Sequence, residues 1–269
     1  MKTDGFIRHD DRDIPYYGCR ALEGLPWLRH GFSTRWSGGN EGIFNLNSAA
    51  LGAPDHVNNN RRRLLSALGL ENAALVTLSQ IHSNRVYVVE TGLTENLENS
   101  EGDALVTNIE NTALAIKTAD CFPVLIVDPV YRAIGAVHSG WRGTLARVLP
   151  GAIEEMSRRY NSNPAHLIAA IGPGIRECCF EVGKDVARLF SEAYPEKMIA
   201  QPRPSAPGKY MVALAAVLKT QMAQSGIPLE NQHDLQMCTC CNTQDFFSWR
   251  AEGAATGRML AVISLVNQC

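Results

Sequence analysis

Two short stretches carry the residues most able to do chemistry: Thr118-Ala119-Asp120-Cys121-Phe122-Pro123, and Ala136-Val137-His138-Ser139-Gly140-Trp141-Arg142-Gly143. Cys121 ends an apolar, strand-like run from Ala113 to Ala119, and His138 ends another from Ala133 to Val137. A third run, Ala74 to Ser79, leads into Gln80-Ile81-His82. Adjacent strands that finish side by side would bring a soft sulfur and an imidazole together at one sheet edge. Two histidines and one cysteine at strand ends suit a metal site with an open position, or a Cys/His catalytic pair.

A catalytic zinc takes three protein ligands and keeps its fourth position for water or substrate; Cys plus two His is an accepted set. The metal lowers the pKa of bound water from 15.7 toward ~7, which makes it a nucleophile at neutral pH. Taken singly, each histidine is more often a surface or satisfied core group, and each cysteine a small buried hydrophobe. The shared strand-end setting is what argues for a site. The segment from His138 to Thr144 reads as a strand-to-helix turn with free backbone N–H groups, and Arg142 adds a fork suited to phosphate or carboxylate. The competing account is a tight connection with a solvated arginine. Asp120 could orient a histidine or a water. It could equally hold a loop by capping backbone amides.

Stepwise along the chain, a strand is expected at Leu28–Ser33, followed by a turn-forming loop at Ser37-Gly38-Gly39-Asn40-Glu41-Gly42. Pro54-Asp55 opens a helix with Val57, Leu64, Leu65 and Leu68 on its apolar side, ended by Gly69. Strands follow at Leu75–Leu78, Val86–Val89, Ala104–Thr107, Leu114–Ala119, Val124–Val127 and Ala133–Val137. Their short connections point to a meander-like, partly antiparallel sheet rather than strict βαβ alternation. A helix from Thr144 to about Tyr160 should kink or break at Pro150. Leu167–Ile171 and Met259–Val266 read as strands, and Lys184–Ala193 and Ala213–Gln224 as helices. The Pro-rich segment Gln201–Gly208 reads as a surface loop inside one fold. The expected class is α+β, with sheets in the middle of the chain, helices outside, and residues 1–269 forming one domain.

The chain has 269 residues, 45% hydrophobic and 19% charged, with a net charge of −2. That describes an ordinary folded protein and gives no reason to expect nucleic acid or an anionic membrane as partner. Arg61-Arg62-Arg63 is its densest basic run and reads as a solvated helix face. Without an apolar leader or a run of ~20 apolar residues, a cytoplasmic location is expected. Eight cysteines read as reduced thiols. Cys238-Thr239-Cys240-Cys241 and Cys178-Cys179 read as incidental, since vicinal cysteines bind one tetrahedral ion only with strain. Phe246-Phe247-Ser248-Trp249-Arg250 and Gly257-Arg258 place aromatics beside arginines, either for core packing or to cover a pocket.

Many segments, in order, resemble the YfiH-type family, long described as multicopper polyphenol oxidases or laccases. They include Phe32-Ser33-Thr34-Arg35, Asn45-Leu46-Asn47, Asn60-Arg61-Arg62, Gln80-Ile81-His82, Gly102-Asp103-Ala104-Leu105-Val106-Thr107 and the two stretches above. Later come Ile171-Gly172-Pro173-Gly174-Ile175, Cys179-Phe180-Glu181-Val182-Gly183, Phe247-Ser248-Trp249-Arg250 and Thr256-Gly257-Arg258. The chain departs from the pattern at Ser139, where alanine is common, and in the loose segment Ala251–Ala255.

The resemblance implies a layered α/β/β/α fold similar to that of a bacterial toxin deamidase. It implies zinc, with copper as the alternative metal, on His82, Cys121 and His138, which would also be the catalytic set. Asn45 and Arg250 join Arg142 as substrate-binding candidates. The implied activity is phosphorolysis of adenosine, inosine and methylthioadenosine, with deamination of adenosine. The implied partners are a purine nucleoside and phosphate, and a monomer is expected. Some relatives are described instead as peptidoglycan editing factors, which makes a Cys121/His138 amidase acting on a UDP-muramic acid–serine precursor the alternative. A metal-dependent nucleoside-binding protein without turnover is the third reading. A multicopper oxidase needs many histidines; this chain has seven, and of these His82 and His138 fall in a convincing site.

Overall fold

Strands that are apolar at every position need cover on both faces. Here the runs at Thr112–Thr118, Phe122–Asp128, Ala133–Ser139 and Met259–Leu265 are buried almost throughout. The computed structural model describes residues 5–10, 14–38, 42–47, 54–90, 97–195 and 198–267, so positions 39–41 of the expected Gly/Asn-rich loop lie outside the described residues. Among these residues two six-stranded sheets and one three-stranded sheet are formed. The first sheet runs β1 (Phe6–His9), β2 (Tyr16–Cys19), β3 (Leu28–Ser33), β15 (Met259–Leu265), β7 (Thr112–Thr118) and β4 (Ala74–Val76). In the second, the order is β14 (Gln232–Asp234), β10 (Ile168–Ile171), β8 (Phe122–Asp128), β9 (Ala133–Ser139), β6 (Ala104–Thr107) and β5 (Val86–Val88). The third sets β11 (Glu181–Gly183) and β12 (Ala200–Pro202) on either side of β13 (Lys209–Val212).

The period-two alternation of side chains sorts the layers. From β7, Leu114 and Ile116 join Met259, Ala261 and Ile263 of β15 in a cluster shared with Leu125, Val127, Ile134 and Ala136 of the second sheet. Ala113 and Ala115, on the opposite face, pack with Leu260 and Val262 against helix α2 (Pro54–Ala67). The outer face of the second sheet, with Val124, Ile126 and Val137, is covered by α4 (Val148–Tyr160) and α6 (Leu214–Gln224). The result is the expected helix–sheet–sheet–helix stack. Short helices α1 (Arg20–Glu23), α3 (Trp141–Leu145) and α7 (Trp249–Glu252), and the longer α5 (Lys184–Ala193), complete it.

Most expected elements appear within a residue or two, but four details differ. The consecutive middle strands are divided between two sheets rather than joined in one meander. The helix after His138 breaks before Pro150, at Arg147, which is left-handed (φ 65°). Pro150 then falls in the first turn of α4, where a missing N–H costs nothing. Arg61 is buried rather than solvated; its guanidinium donates to the Leu46 carbonyl and to Glu98. Gln201 and Pro202 pair with β13 as an edge strand, a position that tolerates proline.

Candidate functional site

Cys121 lies in the tight turn that carries the chain from β7 in the first sheet to β8 in the second. The run ending before Cys121 therefore does not neighbour the run ending at His138. The start of β8 lies beside the end of β9 instead, with Pro123 opposite His138 and Phe122 opposite Ser139. Antiparallel pairing sets a beginning against an end, so the expected meeting occurs by a different route. His82 comes from the loop after β4 and holds a left-handed backbone (φ 62°).

Asp103 assembles the group. It is fully buried just ahead of β6. Its Oδ1 accepts from the His82 amide (3.0 Å) and pairs with His138 Nδ1 (2.8 Å). Its Oδ2 accepts from the Ser83 amide (2.6 Å) and hydroxyl (2.7 Å). Even its carbonyl accepts from the His138 amide, at 2.7 Å. Burial pushes the Asp103 carboxyl up, yet the bonds from His138 and Ser83 bring it below its ordinary value, so it is ionised. An ionised carboxylate makes His138 Nδ1 the donor, which leaves Nε2 turned toward Cys121.

The three side chains converge. Cys121 Sγ is 3.7 Å from His82 Nε2, and the two imidazoles stand edge to face at 5.0 Å. One ligand atom from each falls within 4.8 Å of the others. Gly140 makes this approach possible: a Cβ there would lie 2.7 Å from His82 Cδ2 and 2.9 Å from Cys121 Sγ. Burial pushes the Cys121 thiol up, but His138 and His82 more than offset it and the net shift is downward. Burial likewise pulls His138 down, while Cys121 and Asp103 carry it upward overall. Both shifts favour the charge-separated form of the pair, a thiolate beside an imidazolium. Two imidazoles and a thiolate gathered this way are a fitting donor set for a borderline-soft divalent metal.

The trio sits in the wall of a cleft of about 580 Å³. Lys117, Arg250 and Arg258 bring positive charge to this cleft, and Trp141, Phe180 and Trp249 bring aromatic surface. Asp120 does not face a histidine. Its carboxylate accepts from Thr239 Oγ1 (2.6 Å) and from the Arg250 amide (2.7 Å), and its carbonyl from the Ile175 amide (2.7 Å). Of its two expected roles, loop-holding is the one it performs.

The three substrate-binding candidates fall differently. Arg250 lines the cleft, and its guanidinium donates to the carbonyls of Cys179 (2.8 Å) and Glu181 (2.9 Å). Arg142 is exposed on α3 and stacks over Trp141, 4.3 Å from the ring centre; Trp141 rather than Arg142 forms the wall. Asn45 is buried, and its Oδ1 accepts from the Arg258 amide at 2.9 Å. Its neighbour Asn47 lines the cleft. Asp103 and Lys117 are polar residues that sequence reasoning left without a role, whereas Arg258, expected with its aromatic neighbours in packing or at a pocket, lines the cleft. Asp103 stood in a segment already singled out, but nothing in spacing alone marks one aspartate before a strand as an orienting group.

A family model described as multi-copper polyphenol oxidoreductase laccase matches residues 29–266. A purine nucleoside phosphorylase of Deinococcus radiodurans is 36% identical over 254 residues, covering 90% of this chain and 94% of that protein. Adenosine deaminase RL5, from an unknown prokaryotic organism, is 34% identical over 217 residues, covering 76% of this chain and 82% of its own. Among solved structures, YlmD from Geobacillus stearothermophilus superposes with a TM-score of 0.85 at 28% identity, over 96% of this chain and 98% of that one. The fold, the ordered motifs and these likenesses agree: the chain belongs to the multi-copper polyphenol oxidoreductase laccase family, in its YfiH-type branch.

Proposed function

We propose that this protein is a purine nucleoside phosphorylase that holds zinc on His82, Cys121 and His138, cleaves adenosine, inosine and methylthioadenosine, and deaminates adenosine. One observation carries the reading: the trio, three cationic side chains and three aromatic faces share one cleft. Phosphorolysis needs an anion and a flat heterocycle held side by side. Aromatic faces stack a purine, and guanidinium pairs with phosphate. In the reaction a phosphate oxygen bonds to the ribose C1′ as the bond to the base breaks, and the electron pair leaves with the base. Zinc at the trio would supply Lewis-acid polarisation of an oxygen. Asp103 fixes the His138 tautomer, and Arg258 and Lys117 offset phosphate charge.

The test is product analysis with adenosine and phosphate, beside a His82→Ala control. Adenine and ribose 1-phosphate should form only with phosphate and only in the parent protein. No turnover in either would end this reading.

A second reading is favoured by one feature, the chain Asp103–His138–Cys121, which is also the order of an acid, a base and a nucleophile in a cysteine amidase. Zinc would then block the thiolate. Chelation separates the two readings: it abolishes activity in the first and preserves or raises it in the second.

A further inference from the structure

Far along the chain from the trio, two turns face each other. One spans residues 177–179 and carries Cys178 and Cys179; the other spans 239–241, with Cys238 just before it and Cys241 at its end. The segments are laced together: the Gly174 amide donates to the Met237 carbonyl (3.3 Å), and the Thr239 amide to the Gly174 carbonyl (3.2 Å). Cys241 Sγ lies 3.5 Å from Cys178 Sγ and 3.3 Å from Cys179 Sγ. All four sulfurs of Cys178, Cys179, Cys238 and Cys241 fall within 4.8 Å of one another, and all four are free.

These separations match a metal-thiolate centre. Four sulfurs at ~2.3 Å from one tetrahedral zinc stand about 3.8 Å apart. Cys238 and Cys241 have the two-residue spacing usual for one half of such a site. The adjacent pair, an objection in an extended chain, is brought to one side by its turn. Backbone N–H groups from Arg176 (3.4 Å) and Cys241 point at Cys238 Sγ, as donors do toward a thiolate.

We propose that Cys178, Cys179, Cys238 and Cys241 bind a second, structural zinc ion, separate from the His82/Cys121/His138 group. Each thiol releases its proton to solvent on binding. The ion joins the Gly174–Phe180 segment to the Cys238–Cys241 turn, both of which support the cleft. Phe180 follows Cys179 directly and lines the cleft, and Arg250 donates to the Cys179 carbonyl. Thr239, inside the second turn, holds Asp120 beside Cys121. The centre would brace this wall without touching substrate.

The test is metal content and cobalt spectroscopy on protein purified with reductant and without chelator. Two zinc ions per chain are expected, falling to one in Cys178→Ser/Cys241→Ser and to one in His82→Ala/His138→Ala. Cobalt in the histidine variant should show the intense sulfur-to-cobalt charge transfer of a four-thiolate tetrahedral centre; this measurement leaves every cysteine intact and stands even if the serine variant fails to fold. No metal in the histidine variant, a zinc content unchanged by Cys178→Ser/Cys241→Ser, or a disulfide among these cysteines under reducing purification would overturn the proposal.

Discussion

Asp103→Asn is the sharpest test of how the trio is held. The side chain keeps its shape but exchanges one oxygen for an NH₂. If the NH₂ takes the Oδ2 place, it confronts the Ser83 amide now at 2.6 Å. In the Oδ1 place it confronts the His82 amide and makes His138 accept at Nδ1, which moves the imidazole proton to Nε2. Either orientation loses one or two charge-assisted hydrogen bonds of about 1.5–3 kcal/mol each, so the metal-free fold loses about 2–4 kcal/mol. For a chain of this size that lowers Tm by about 5–15 °C. Zinc affinity should fall about 10–100-fold, as for other groups that orient a ligand histidine. Competition with a chelating indicator measures the affinity, and calorimetry the fold. Alkylation of Cys121 gives a third readout: once the carboxylate charge is gone, His138 is less cationic, the thiol pKa rises, and the midpoint of the pH–rate curve moves upward in metal-free protein. Zinc affinity within threefold of the parent, with an unmoved alkylation midpoint, would refute the account of Asp103 as the assembling residue.

Gly140→Ala should cost the trio its metal while leaving the fold standing, because its Cβ would meet His82 and Cys121 rather than the core; a parent-like zinc content would contradict this. Arg258→Gln should raise the KM for phosphate about tenfold or more and leave nucleoside binding within a fewfold, on the basis of one lost guanidinium–phosphate pair; steady-state kinetics with each substrate varied decide it. Buried His30 accepts the Cys19 amide at 2.7 Å, and burial lowers its pKa from 6.5 to about 4. Above pH 6.5 it is neutral folded or unfolded; as pH falls toward 4 the unfolded chain takes a proton that the fold refuses, so stability drops by up to about 3 kcal/mol. His30→Gln should flatten that decline in denaturant titrations, and parallel curves for the two proteins would exclude the assignment.

The layered architecture was legible because the middle strands are long, apolar and terminated by turn residues. All of α2 could be read from apolar spacing and a stop signal, and α5 falls on the bounds expected for it. What could not be read is pairing. The runs around Cys121 and His138 look alike in sequence, but one feeds the first sheet and the other lies in the second, a division that depends on partners far along the chain. Short edge strands such as β11 and β14 carry too few residues for any period to show. In the site, His82, Cys121 and His138 announced themselves by residue type. Asp103 did not, because its role depends on burial and on donors from Ile81, His82, Ser83 and His138 that only tertiary structure gathers. Lys117 escaped notice for the same reason, and the gathering of the four cysteines could not be read because local spacing says nothing of two turns meeting.

The position of β15 bears on how the chain is made. It lies between β3 and β7 and pairs antiparallel with both, so the centre of the first sheet is the last of the described strands in sequence. At translation rates of ~5–20 residues per second, β3 emerges about 11–45 s before the partner that completes it. During that interval the facing edges of β3 and β7 have open backbone donors and acceptors, the kind of template on which strands of other chains add. Nascent chains stalled anywhere before Met259 should therefore be the aggregation-prone species, and a chaperone that shields sheet edges would act on this protein chiefly at the ribosome.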